Sequence, residues 1–253
     1  MSKPIIGITC GFIENEKYTP RANIGLNYAN SIRLAGGIPI LFAVPALEFS
    51  KGAIEKAVIE YLEIVDGVLL TGGPDFDPEI YNEKKLPTTV KMSKYRQEFD
   101  LTITRLALEK QKSIMGVCLG CQVLNVAAGG SLYQDIPHDI PNWKIRHGKK
   151  LEEYFTFHKV KINKDSTLFN ILGVETLETN SAHHQAIKAL GLGFKISAES
   201  IEDGIIEAIE KVDGSFALGV QWHPEYFAVK NELHLKLFSA LVNSAKEKKS
   251  SSL

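Results

Sequence analysis

Three residues of this chain have the types and spacing of a covalent catalyst: Cys118, His223 and Glu225. Cys118 stands in "GVCLG" (116–120), a Gly-x-Cys-x-Gly arrangement whose small residues permit the tight strand-to-helix turn that lifts a nucleophile above a sheet. The helix N-terminus beneath such a turn offers unpaired N–H groups and partial positive charge, which lower a thiol pKa and hold a developing oxyanion. His223 and Glu225 lie in "GVQWHPE" (219–225). In extended backbone, residues i and i+2 project to one side, so Glu225 can take a hydrogen bond from one imidazole nitrogen while the other faces the thiol. The chemistry this predicts is nucleophilic catalysis, with Cys118 as nucleophile, His223 as base and Glu225 as the group that orients the base.

Two other uses of these cysteines fit less well. Cys118 and Cys121 form Cys-x-x-Cys at a helix start, where thioredoxin-like dithiols sit, but the glycine turn already accounts for Cys118. Adding His183 and His184 supplies four N/S ligands for zinc, at distances unlike those of a compact finger. No metal and no cofactor is therefore expected.

The elements that must position these residues follow from periodicity. Apolar, β-branched runs at 4–10, 38–44, 66–73 and 113–118 predict buried parallel strands. Between them, "IGLNYANSIRLAGG", "SKGAIEKAVIEYLEIV" and "SKYRQEFDLTITRLALEKQ" have the spacing of amphipathic crossover helices, the second opening on a Ser50 cap. The series reads as βαβ units and a helix-covered sheet. The second half changes to runs at 154–162, 194–200, 204–210 and 216–223 joined by short turns, which predict further strands, some antiparallel. A closing helix follows, and the tail 246–253 is expected to be disordered. No repeat or linker interrupts the chain, so a single domain over 1–253 is the simplest organisation.

Bulk properties narrow the partners. The chain has 253 residues, 44% of them hydrophobic, enough to bury a full core without staples. A net charge of -1 provides no field to gather nucleic acid or an acidic membrane surface. Three cysteines do not make a secreted disulfide framework, and no run reaches the roughly 18 apolar residues of a membrane span. A cytoplasmic protein with reduced thiols and a small-molecule substrate is expected, with homodimer formation left open.

The motifs "YANSIRLAGGIPI", "DGVLLTGGPDFDPEIY", "GVCLGCQVLNVAAGGSLYQDI", "NSAHHQAIKALG", "DGIIEAIE" and "ALGVQWHPE", in this order, resemble the class I glutamine amidotransferase-like hydrolases. Within them the chain is most similar to the stand-alone γ-glutamyl-γ-aminobutyrate hydrolase group of the C26 peptidases. The resemblance implies a flavodoxin-like α/β class I glutamine amidotransferase fold, a mostly parallel central sheet flanked by helices with additional antiparallel strands. It also implies a Cys118, His223, Glu225 triad that attacks a γ-glutamyl amide and passes through a glutamyl thioester, as in polyamine breakdown. Carried over by residue, Gly72 and Gly73 direct backbone N–H groups at the oxyanion together with the N–H of Leu119. Gln122 helps bind the glutamyl part, and His183 stands near the substrate. His184 reads equally as a structural neighbour, and Asn180, Ser181 and Gln185 as residues that shape the loop. Where that group commonly has Cys-Arg-Gly, this chain has Cys118-Leu119-Gly120, the form of glutaminase domains. A glutaminase subunit that delivers ammonia to a separate synthase chain is therefore the alternative.

Overall fold

A computed structural model of the chain describes residues 2–14, 19–45, 51–141, 143–148 and 155–251. The first half comprises β1 (Ile5–Thr9), β2 (Gly11–Ile13), β3 (Arg21–Asn23), α1 (Leu26–Leu34), β4 (Ile38–Phe42), α2 (Lys51–Ile64), β5 (Gly67–Leu70), α3 (Lys94–Glu109), β6 (Ser113–Val117) and α4 (Leu119–Ala127). The second half adds β7 (Ser131–Tyr133), α5 (Ile136–Asp139), β8 (Thr156–Ile162), α6 (Thr167–Leu172), β9 (Thr176–Ser181), β10 (Ala186–Ala189), β11 (Phe194–Ser200), β12 (Ile206–Lys211), β13 (Ala217–Val220) and α7 (Glu232–Ser251).

Nine strands form one sheet in the order β4-β1-β5-β6-β13-β12-β11-β8-β9. From β4 to β13 every pairing is parallel, and from β13 to β9 every pairing is antiparallel. The parallel strands thus form one half of the sheet and the added antiparallel strands the other. The parallel centre is apolar on both sides: Val68, Leu70 and Ile114 pack with α2, α3 and α4, while Leu69, Met115, Val117 and Val220 pack with α1 and α7. Burial on both faces explains why these strands read as continuous apolar runs. In the antiparallel half β8 alternates instead, with Thr156, His158, Val160 and Ile162 buried and Phe157 exposed.

The parallel strands and crossover helices appear where periodicity puts them, with three adjustments. β4, expected to be buried, is the sheet edge and exposes Ile38, Ile40 and Leu41. α7 continues through Ser251, so residues 246–251 are helical where a disordered tail was expected. The elements β2, β3, β7, β9, β10, α5 and α6 are short or polar and carry little periodic signal; β9 is the polar edge strand "TLETNS". The Ser50 cap lies outside the described residues. Among the described residues no helix is long and apolar enough to cross a membrane.

Candidate active site

Because β5, β6 and β13 are adjacent and parallel, the segments that leave their carboxyl ends emerge side by side, where ligands bind in open α/β sheets. Those segments are Thr71-Gly72-Gly73, Cys118 and Gln221-Trp222-His223. Cys118 joins β6 to α4 at φ 52°, ψ -108°, a strained conformation for a residue with a side chain. Its own N–H is held by the carbonyl of Val220 on the neighbouring strand at 2.8 Å. The flanking glycines are steric requirements: a Cβ on Gly116 would lie inside the Gly120 carbonyl, and one on Gly120 inside that of Leu70. The elbow is therefore built by close packing of β6, α4 and β5.

His223 reaches the same point from β13. Its Nδ1 lies 2.8 Å from Glu225 Oε1, across a short 3₁₀ turn that begins at Pro224. On its other side the Cys118 thiol is close enough to act on the ring electrostatically. Burial opposes a charge on this ring, but Cys118 and Glu225 outweigh it and hold the imidazole pKa well above its ordinary value. The backbone is fixed as well, because Asn180 Nδ2 donates to the His223 carbonyl at 3.1 Å. The structure thus gathers the three residues expected to act together.

The Gly72-Gly73 turn sits against this group. A Cβ on Gly72 would lie 3.0 Å from His223 Cε1 and 3.6 Å from Cys118 Cβ. The N–H of Gly72 is not free; it donates to the Tyr28 hydroxyl at 3.0 Å. Among the described residues the N–H groups of Gly73 and Leu119 have no acceptor and are free for a ligand oxygen. Beneath the turn Arg96 donates from Nη2 to the Gly72 carbonyl (2.8 Å) and to Thr71 Oγ1 (3.1 Å). Its Nε bonds Asp100 Oδ2 at 3.2 Å, an i,i+4 pair on α3 that is fully buried. Burial raises the Asp100 pKa to about 6 against the pull of Arg96. A cleft of about 260 Å³ opens beside the turn, lined among others by Phe12, Asn23, Tyr28, Gly73 and Arg96.

Two expected substrate residues are placed differently. Gln122 is buried, and its Nε2 donates to the Gln185 carbonyl (3.1 Å) and to Gln221 Oε1 (3.2 Å). His183 is also buried, with Nδ1 at 3.0 Å from the Gln185 carbonyl and its other nitrogen toward Glu207. Both support the site from behind instead of lining the cleft. His184 bridges Asp135 (3.2 Å) and Asp75 (2.9 Å), which makes it a clamp between loops. Ser181 Oγ donates to the His147 carbonyl, and Gln185 Oε1 accepts from the N–H of Phe76, so both shape the surrounding loops.

Periodicity and motif spacing missed Tyr28 and Gln221. Tyr28 comes from α1; burial and the nearby Glu225 carboxylate push its phenol well above the ordinary range, so it stays a neutral hydroxyl. Gln221 Nε2 donates to Cys118 Sγ at 3.6 Å. It sits one residue beyond β13 in "GVQWHPE", and its place next to His223 was the only available signal.

The dithiol and zinc readings of Cys118 and Cys121 find no support in this arrangement. All three cysteines are free, Cys121 is packed against Gly219, and burial raises its pKa well above the thiol range. Both ring nitrogens of His184 are engaged by carboxylates.

Comparison with known proteins agrees with this geometry. Residues 4–225, a span that contains the elbow, the Gly72-Gly73 turn and the His-Pro-Glu turn, match the model of the Peptidase C26 family. A glutamine amidotransferase-like protein of Rickettsia prowazekii is 34% identical, the match covering 96% of this chain and 98% of that protein. The γ-glutamyl-γ-aminobutyrate hydrolase of Escherichia coli is 29% identical over 96% of this chain and 94% of its own. In fold, the chain is similar to the crystal structure of a glutamine amidotransferase from Thermotoga maritima, with TM-score 0.59 and 18% identity over 98% of both chains. A nucleophile-type elbow on a helix-flanked mixed sheet, inside a match that spans most of its length, places this chain in the Peptidase C26 family of the class I glutamine amidotransferase-like superfamily.

Proposed function

We propose that this protein hydrolyses the γ-glutamyl amide bond of small γ-glutamyl compounds through a glutamyl thioester on Cys118. The observation that carries the reading is the strained Cys118 elbow beside a His223 whose Nδ1 is 2.8 Å from Glu225. His223 Nε2 takes the thiol proton as sulfur attacks the amide carbonyl, and the negative charge gathers on the carbonyl oxygen. The N–H groups of Gly73 and Leu119 stabilise that charge, a contribution of about 10²–10³ in rate for each well-placed donor. The imidazolium, stabilised by Glu225, returns its proton to the leaving nitrogen as the C–N bond breaks. Water then attacks the thioester with His223 again as base, releasing glutamate and restoring the thiol.

The cleft beside Arg96 suits the glutamyl part, and the amine half extends toward residues 143–148. A γ-glutamylated amine such as γ-glutamyl-γ-aminobutyrate, an intermediate type in polyamine breakdown, satisfies both requirements. The similarity to the Escherichia coli hydrolase supports this class of substrate. Three reduced cysteines suit a cytoplasmic setting.

One observation favours a second reading. Leu119 is the residue usual after the nucleophile in glutaminase domains, and the Rickettsia relative is described as glutamine amidotransferase-like. In that case glutamine is the substrate and a synthase chain receives ammonia. The deciding assay measures glutamate released by the purified chain alone from a panel of γ-glutamyl amines and from glutamine. Turnover of γ-glutamyl amines without a partner supports the hydrolase. Inactivity toward all of them until a second protein is added would sink it.

A further inference from the structure

Four buried side chains from distant segments converge behind the elbow. His147 comes from the segment 143–148, His158 from β8, His183 from the turn after β9, and Glu207 from β12. Each side chain is at most 2% exposed. Glu207 Oε1 lies 3.0 Å from His158 Nε2, 3.2 Å from His147 Nδ1 and 3.6 Å from His183 Nε2. The ligand atoms of His147, His158 and Glu207 all lie within 4.8 Å of one another; ligand atoms held tetrahedrally at ~2.0–2.1 Å from one ion are ~3.3–3.4 Å apart, so these three share a metal after a small inward shift, with His183 at the margin of the group.

The outer nitrogens decide the tautomers. His147 Nε2 faces Asp203 Oδ2 at 3.0 Å and His183 Nδ1 faces the Gln185 carbonyl at 3.0 Å. A carbonyl and an ionised carboxylate only accept, so each ring carries its proton on that outer side. A neutral ring then turns a lone pair toward Glu207 from His147 Nδ1 and from His183 Nε2. Among the described residues neither nitrogen has a hydrogen-bond partner, and neither has Glu207 Oε2. Lone pairs facing a buried carboxylate repel it unless a cation lies between them. A second proton on His147 relieves one contact and leaves His183 and Glu207 Oε2 unsatisfied. One cation relieves all three; it takes the place of the hydrogen bond between His158 Nε2 and Glu207 Oε1 and moves the His158 proton to Nδ1, while the outer carboxylate and carbonyl orient the other two imidazoles.

We propose that His147 Nδ1, His158 Nε2 and the Glu207 carboxylate bind one divalent transition-metal ion of the zinc type, with His183 Nε2 drawn in as the fourth ligand, which pins the 143–148 segment to the sheet. Three imidazoles and one carboxylate suit zinc, and are a poor set for calcium or magnesium, which take oxygen ligands. Four protein ligands make a closed, structural site. A cavity of about 400 Å³ lined in part by Trp143, Arg146, His147 and His183 provides an approach path. The site touches the catalytic group only indirectly: the Glu207 carbonyl accepts the Gln221 N–H at 2.7 Å, and the Gln221 side chain reaches Cys118 Sγ. The inference stands independently of the substrate assignment.

The test is a titration of the full-length chain, stripped with a soluble chelator and dialysed, with Co²⁺ and then Zn²⁺. One equivalent of Co²⁺ should bind with the intense visible absorption of a four-coordinate ion, and Zn²⁺ should displace it. Zinc should slow trypsin cleavage after Lys144 and Arg146 by about 10-fold or more, since both bonds lie in the pinned segment. His158→Ala and His183→Ala should each weaken zinc binding by about 100-fold or more, and Asp203→Asn by about 10–100-fold. Cys118→Ser and His184→Ala should bind zinc as the wild type does. Uptake below ~0.1 equivalent by the unmodified chain would overturn the site whatever the folding of the variants. So would zinc that persists in His158→Ala and His183→Ala but is lost in Cys118→Ser.

Discussion

The Tyr28 hydroxyl accepts the Gly72 N–H at 3.0 Å while the same phenol faces the Glu225 carboxylate. A helix early in the chain thus braces the glycine turn, with its phenol in the field of the acid that orients His223. Tyr28→Phe removes that brace without emptying the space. A neutral hydrogen bond is worth ~0.5–1.5 kcal/mol, so kcat should fall by about 2- to 10-fold with KM little changed. Steady-state kinetics on a γ-glutamyl amide reads this directly, and an unaltered kcat would remove Tyr28 from the site.

Cys118→Ala should abolish turnover, with a loss of about 10⁴-fold or more, and His223→Ala should match that loss instead of adding to it, because nucleophile and base act as one unit. Glu225→Gln should cost less, since the amide keeps a partner for Nδ1 but loses the charge that stabilises imidazolium. Full activity in Glu225→Gln would reduce the triad to a dyad.

Covalent trapping separates the thiols. An electrophilic glutamine analogue such as a diazo-ketone should add once per chain, on Cys118, because only that thiol has a base beside it. Cys121 is fully buried and its pKa is raised, so Cys121→Ser should label and turn over nearly as the wild type does. Peptide mapping that found the adduct on Cys121 would contradict the elbow assignment.

Arg96→Met leaves Asp100 buried and unpaired and removes two donors from the Thr71-Gly72 turn. Loss of one partner from a buried pair costs ~3–5 kcal/mol, and urea unfolding at pH 8 should show a loss of that size. At pH 5 the loss should shrink, because an unpaired Asp100 can take a proton.

His234, on α7, supplies a pH signature. Burial lowers its pKa to about 4 against the pull of Glu225, from an ordinary value of 6.5. Between these values the unfolded chain binds a proton that the folded chain does not. Stability from this group is complete above pH 6.5 and is lost as pH falls toward 4, at no more than ~1.4 kcal/mol per unit. The difference in unfolding free energy between wild type and His234→Gln should therefore vary over that window and level off above it; a difference independent of pH would contradict the assignment.

Legible from residue order alone are the parallel strands, the crossover helices, the elbow and the His223–Glu225 pair. Each depends on near neighbours: apolar runs on strands buried on both faces, glycines two residues to either side of Cys118, and an i,i+2 relation across Pro224. Tertiary structure decided what no local spacing encodes. The adjacency of β5, β6 and β13 sets which loop ends meet, and it brings Tyr28, Arg96 and Gln221 to Cys118 from separate parts of the chain. It also turned Gln122 and His183 toward the protein interior, although their motifs pointed to the substrate, because the Gln185 carbonyl accepts from the one and faces the ring of the other. His147, His158, His183 and Glu207 share one oxygen atom as their meeting point only because β8, β9 and β12 lie in the same antiparallel half of the sheet. Local sequence specifies the conformation of a segment; which segments become neighbours is set by burying their apolar faces together, and polar side chains are carried to their partners by that packing.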